Sequence, residues 1–371
     1  MAGFSGESGE SGESGESGES GESGEAGRRS FAARARALIS SREGVVGYWS
    51  APERIPAHYQ AGPGALDRWS GDVRRRIFES ELLSGIFYDG AADSASVEFR
   101  DRSDASPNPL VHMIRPTEAD FAGQLEFVSN YAALRVERSG EIAAQMHDVL
   151  SFLGSVGFLN PGRSPRTAEL LAVLLPVTAT IEMRVKNALV CRRPIEYSPQ
   201  IQPMILTPAH GSLPSGHATE AFAAAFVIYA LMQTVRTGSL EIDEGEQTFV
   251  QLMRHAERIA INRTIAGVHF PVDSVAGMVL GRTLAEFYIA RCSGGGQVAM
   301  RSFDGRGFDD DFSYERVLAM SYERSAEPRA QPELGSNRII QRSTRPFTVQ
   351  GSPLLQHLWN AALDECRLIV G

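Results

Sequence analysis

Three short strings dominate this chain, and any fold it adopts has to bring them together. They are Lys186–Pro194 (KNALVCRRP), Thr207–Thr219 (TPAHGSLPSGHAT) and Asn262–Asp273 (NRTIAGVHFPVD). Between them they supply Lys186, Arg193, Ser215, Gly216, His217, Arg263, His269 and Asp273. Fixed cations, a hydroxyl, an unhindered backbone and two imidazoles are the groups that hold a tetrahedral oxyanion. Arginine presents a planar fork of donors that fits such oxygens two at a time. A Ser-Gly pair opening a helix adds N–H groups and the positive end of the helix dipole. One imidazole can bond to the central atom while the other moves a proton. Asp273 falls four residues after His269; if a helix has begun there, both lie on one face and the carboxylate orients the ring.

The spacing is Lys, six residues, Arg-Pro; then Pro-Ser-Gly-His; then Arg, five residues, His, three residues, Asp. This resembles the signature of the type 2 phosphatidic acid phosphatase and vanadium haloperoxidase superfamily, over about residues 165–293. The resemblance implies a mainly α fold, a soluble helical bundle of the acid phosphatase and vanadium haloperoxidase type. It implies that Lys186, Arg193, Ser215, Gly216 and Arg263 hold the oxyanion's peripheral oxygens, that His269 is the nucleophile or the ligand of vanadium, and that His217 is the acid–base group. The expectation placed first is a vanadium-dependent haloperoxidase-like enzyme, which oxidises halide with hydrogen peroxide at a His269-bound vanadate. The alternative uses the same residues without a cofactor, as an acid phosphatase working through a phospho-histidine. A non-catalytic oxyanion-binding module is the third reading. His210 lies seven residues before His217, and PxHxSxPSGHAT is similar to algal bromoperoxidases, which makes His210 a possible halide-side residue. Two positions depart from the pattern: Asn262 stands where a Ser often precedes the Arg, and Met183 where haloperoxidases often carry Trp.

Composition narrows the remaining classes. Net charge is −9, but seven glutamates sit in the Ser-Gly-Glu repeat of the first 27 residues; without them 36 cationic side chains face 38 carboxylates. That near-neutral balance gives no electrostatic footprint for nucleic acid. The partners expected are small molecules, peroxide and halide or a phosphate ester. Cys191, Cys292 and Cys366 are too far apart for a zinc site or a disulfide framework, and read as free thiols in a reducing compartment. No signal peptide is evident, and the longest apolar runs, such as Ala221–Met232, are about a dozen residues. A cytoplasmic protein without a membrane span is the expectation.

Four regions follow: a disordered repeat at 1–27, an N-terminal helical region at 28–160, the catalytic domain at 161–293, and a linker with a last helix at 294–371. Helices are expected over 28–42, 66–87, 117–158 with an interruption at Ser139-Gly140, 167–192, 216–235, 246–265, 271–291 and 352–370. Almost nothing reads as strand beyond a short piece at 96–99, and 293–338 reads as loop. The last helix packs on the main domain or on another subunit of a homo-oligomer.

Overall fold

The computed structural model describes residues 33–370, apart from 56, 102, 103, 105, 161, 321 and 325–338. The 1–27 repeat lies outside the described residues. In chain order, 33–44 form helix α1 and Gly71–Leu83 form α2, followed by strands β1 (Ile86–Gly90), β2 (Ser94–Phe99) and β3 (Asn108–Ile114). Three helices come next: α3 (Glu118–Tyr131), α4 (Arg135–Gln145) and α5 (Leu150–Gly157). The site-bearing stretch is α6 (Pro165–Leu189), the single turn α7 (Pro194–Tyr197), α8 (Gly216–Thr237), α9 (Gln247–Ala266) and α10 (Pro271–Cys292). The chain continues through β4 (Gly295–Val298), β5 (Arg301–Asp304), α11 (Tyr314–Met320), β6 (Tyr322–Arg324), β7 (Ile340–Ser343), β8 (Phe347–Gln350) and α12 (Pro353–Val370).

The core is built around α8. Its sequence is apolar on every face, and Ala218, Phe222, Phe226, Ile228 and Leu231 are all buried. A helix with no polar stripe belongs at the centre of a fold, and each Phe or Leu so placed is worth roughly 1.5–3 kcal/mol. It packs against α6, α9, α10 and α12. By length and composition α8 could cross a membrane, but 83% of its most apolar window is buried inside the protein. The dozen apolar residues noted from Ala221 are therefore part of a longer core helix. The closest approach is to α10, where small residues face small residues. A Cβ on Gly277 would lie 2.8 Å from the Ser215 carbonyl oxygen, and one on Gly281 only 2.5 Å from that of Thr219.

The main helices match expectation, and the structure is mainly helical, but strands were under-read. Eight occur among the described residues. Six form one sheet in the order β1-β2-β3-β5-β7-β6, and β4 pairs with β8. Most of 293–324 is thus not loop: β4, β5, α11 and β6 fall there. Each of these strands is four residues or fewer, too short for an alternation to stand out, and is held by partners remote in sequence. β5, for instance, runs parallel to β3, with Val111 opposite Arg301.

Two helix expectations need correction. Residues 66–87 split into a 3-10 turn, α2 and β1; α2 buries Phe78 and Leu82 while Trp69 and Val73 stay exposed. Gly85, at φ 86°, makes the turn into β1. No break occurs at Ser139-Gly140, because Gly140 lies on the exposed face of α4 with nothing around it. The interruptions of 117–158 fall instead at 132–134 and 146–149. The last helix, α12, buries Leu355, Leu358, Trp359 and Ala362 against the body of the same chain, chiefly α6 and α8.

Candidate active site

The four core helices deliver the three strings to one place. α6 ends at Leu189 and leaves Lys186 in its last turn; Val190 closes it in the left-handed conformation, its N–H donating to the Lys186 carbonyl. Arg193 follows as the residue before α7. Ser215 caps α8, its hydroxyl accepting from the Ala218 N–H, so Gly216 and His217 open the helix. Arg263 lies in the last turn of α9, which stops at Gly267 with φ 86°. His269 and Phe270 bridge to α10, where Pro271 occupies the first turn.

A small pocket is lined by Glu182, Lys186, His210, Gly216, His217, Glu220 and His269. Arg193, Ser215, Arg263 and Asp273 stand immediately behind that lining, all buried. The structure thus gathers every residue expected from the sequence, His210 included.

Asp273 is the hub. Its Oδ2 accepts from the Phe270 N–H at 2.9 Å, from His269 Nδ1 at 2.9 Å and from the Ser212 hydroxyl. It therefore caps α10 and orients the imidazole at once. Because a carboxylate only accepts, Nδ1 carries the proton and Nε2 keeps its lone pair. Arg193 Nη1 donates to that Nε2 at 3.0 Å and to the Val268 carbonyl at 2.9 Å. Arg193 Nη2 donates to His210 Nδ1 at 3.1 Å, leaving the buried Nε2 of His210 without a protein partner. Lys186 Nζ reaches the Gly211 and Ser212 carbonyls at 3.3 and 3.4 Å, which ties the loop before α8 to the end of α6.

His217 is held from outside the three strings. Its Nε2 donates to the Gln145 carbonyl at 3.1 Å, which leaves Nδ1 to exchange a proton. The Gln145 side chain accepts from Asn262 at 2.9 Å and from Arg263 at 3.3 Å. The C-terminal turn of α4 therefore fixes both an arginine and an imidazole of the site. Reading the sequence missed Gln145, and no local signal could have found it. Glu182 and Glu220 were also missed, although a signal existed: Glu182 is one helical turn before Lys186, and Glu220 is three residues after His217.

Burial and the neighbouring cations keep the imidazoles neutral. Desolvation, then Arg193 and Lys186, pushes His269 well below its usual value; desolvation and Arg263 do the same to His217. His210 is pushed down to about 4 by burial, Lys186 and Arg193. Burial raises Asp273 to about 6 against the opposing pull of Ser212, the Phe270 N–H and the cations.

These shifts set the pH dependence of stability. A lowered histidine contributes fully above the unfolded value of 6.5, and its contribution is lost as pH falls toward the folded value. Asp273 acts oppositely: its contribution is present below 3.8 and is lost as pH rises to about 6. Three histidines against one carboxyl make the first effect the larger. Thermal melts should show Tm rising from about pH 5 to about 6.5 and levelling off above; a Tm that falls over this range would contradict the neutral, buried imidazoles.

The helical core thus brings two arginines, a lysine, a helix N-terminus and a carboxylate-oriented histidine to one place. Residues 168–292, about a third of the chain, match the family model of the PAP2 superfamily. Members of that superfamily are generally phosphatases or haloperoxidases. No curated protein matches the chain.

Proposed function

We propose that this protein hydrolyses phosphate monoesters through a phosphohistidine on His269. The observation that carries the reading is the state of that ring: Nδ1 bonded to Asp273, and Nε2 keeping its lone pair beside Arg193. The Nε2 lone pair attacks phosphorus, the bond from phosphorus to the ester oxygen breaks, and the departing oxygen takes a proton from His217. His217 then removes a proton from water, the resulting hydroxide attacks phosphorus, and the P–N bond breaks to release phosphate. Lys186, Arg193, Arg263 and the start of α8 stabilise the charge on the non-bridging oxygens as it redistributes. His217 is neutral in the free site, so the proton it donates is taken up from solvent when the anion binds.

The same residues suit vanadate, whose five-coordinate form resembles the transition state of phosphoryl transfer. His269 would ligate it, and Lys186, Arg193, Arg263 and Gly216 would surround its oxygens. Bound there as a cofactor, vanadate would supply the chemistry for halide oxidation by hydrogen peroxide. His210 is the observation that favours this second reading, since it lines the pocket with an unpartnered ring nitrogen. A halide brings no proton to set against the two carboxyl groups of the lining, Glu182 and Glu220, whereas a protonated phosphate ester does, and this puts the hydrolase first.

The deciding experiment is hydrolysis of p-nitrophenyl phosphate by metal-free protein, with and without orthovanadate. The expected result is turnover that vanadate inhibits competitively. No hydrolysis, together with vanadate-dependent bromination of a dione by peroxide and bromide, would replace this reading with the second.

A further inference from the structure

The pocket that attracts an anion already contains one. Glu182 is fully buried on α6, and Lys186 Nζ lies 3.8 Å from its Oε1. Its carboxylate rests against the first residue of α8: a Cβ on Gly216 would lie 2.6 Å from Oε1 and 3.1 Å from Oε2. Glu220 lines the same pocket from α8. Three cations (Lys186, Arg193, Arg263) thus face three carboxylates (Glu182, Glu220, Asp273), with His210, His217 and His269 kept neutral and the Cys191 thiol pushed up to about 12 by burial. On the α4 and α9 side, the neighbouring charges Glu141, Arg138 and Arg258 are engaged with one another and with Asn262. The site is close to electroneutral before any ligand enters, unlike a site that binds by excess positive charge.

An oxyanion drawn to the α8 N-terminus meets carboxylate oxygens that carry only lone pairs. Two acceptors in contact repel unless a proton lies between them. Resting on the oxyanion site proposed above, we propose that Glu182 decides which oxyanions the site accepts, by requiring a proton between its carboxylate and the anion. Hydrogen phosphate, hydrogen vanadate and the monoanion of a phosphate monoester bring that proton with them. Sulfate carries none near neutral pH, so it is refused there. Glu182 is in this sense a specificity-determining residue, and the substrate class is the protonated phosphate ester.

The test is calorimetric titration of the full chain with inorganic phosphate, orthovanadate and sulfate, at about pH 5 and about pH 7. At the higher pH phosphate and vanadate should bind and sulfate should be weaker by about 100-fold or more. Glu182→Gln places an N–H donor where the carboxylate was, so the phosphate-to-sulfate ratio at the higher pH should collapse to within about tenfold. Sulfate binding to the wild-type protein as well as phosphate does, at both pH values, overturns the proposal and leaves the oxyanion site standing. Unchanged selectivity in Glu182→Gln overturns the assignment to Glu182. Failure of all three anions to bind the wild-type protein removes the oxyanion site itself, and the proposal with it. Should the variant fail to fold, the wild-type comparison at two pH values still decides.

Discussion

Alanine in place of His269 should abolish phosphate-ester hydrolysis, with kcat falling by about 10⁴-fold or more. His269 Nε2 is the nucleophile that attacks the ester in the proposed mechanism, and the ring is held from both sides by Asp273 and Arg193. The ring is buried, so its removal leaves a cavity; circular dichroism and a melt must first show that His269→Ala is folded. Trapping with labelled substrate in an alkaline, denaturing quench then separates chemistry from structure. The wild-type protein should carry acid-labile label that alkali preserves, as a phosphohistidine does, and the variant should carry none. Full turnover by a folded His269→Ala protein would place the chemistry elsewhere. Loss of turnover with label still present would point to another nucleophile.

Gly281→Ala should destabilise the fold by about 3 kcal/mol, although it adds a single methyl group. The added Cβ would lie 2.5 Å from the Thr219 carbonyl oxygen and 3.1 Å from the Ala223 nitrogen. Both are backbone atoms of the central helix, so neither can rotate away as a side-chain tip would. The α8–α10 seam has to open, and it carries Ser215 at one end and Asp273 on the facing helix, joined by the bond from the Ser215 N–H to the Asp273 carbonyl at 2.9 Å. Urea denaturation should show a lower midpoint with an unchanged m-value, and oxyanion affinity should weaken with it. A midpoint within about 0.5 kcal/mol of wild type would mean that the helices approach less closely than described.

The site was more legible in the sequence than the scaffold around it. Lys186, His217 and Arg263 lie in helices whose apolar patterns are long, Arg193 and His269 follow the ends of two of them, and α6, α8, α9 and α10 begin and end within about three residues of expectation. Glycine at Gly267 and proline at Pro271 mark real boundaries because one supplies a left-handed residue and the other opens a helix. The same reasoning failed at Gly140, where glycine on an exposed helical face costs only a modest propensity and breaks nothing. Strands failed for a different reason. β5 buries Arg301 and Phe303 on one side, yet four residues hold no periodicity distinguishable from a turn. Gln145 shows the limit most clearly, since nothing near it in sequence marks it as the residue that holds both His217 and Arg263.

The pairing of β3 with β5 has a consequence for biogenesis. Val111 meets Arg301 only after α3 to α10 have been synthesised between them. During translation β1, β2 and β3 can form a three-stranded piece early, but its β3 edge stays open while about 190 further residues emerge, and a strand edge left unpaired is where chains stick to one another. The nascent protein therefore passes through an interval in which an association-prone edge is complete and the strand that covers it does not yet exist.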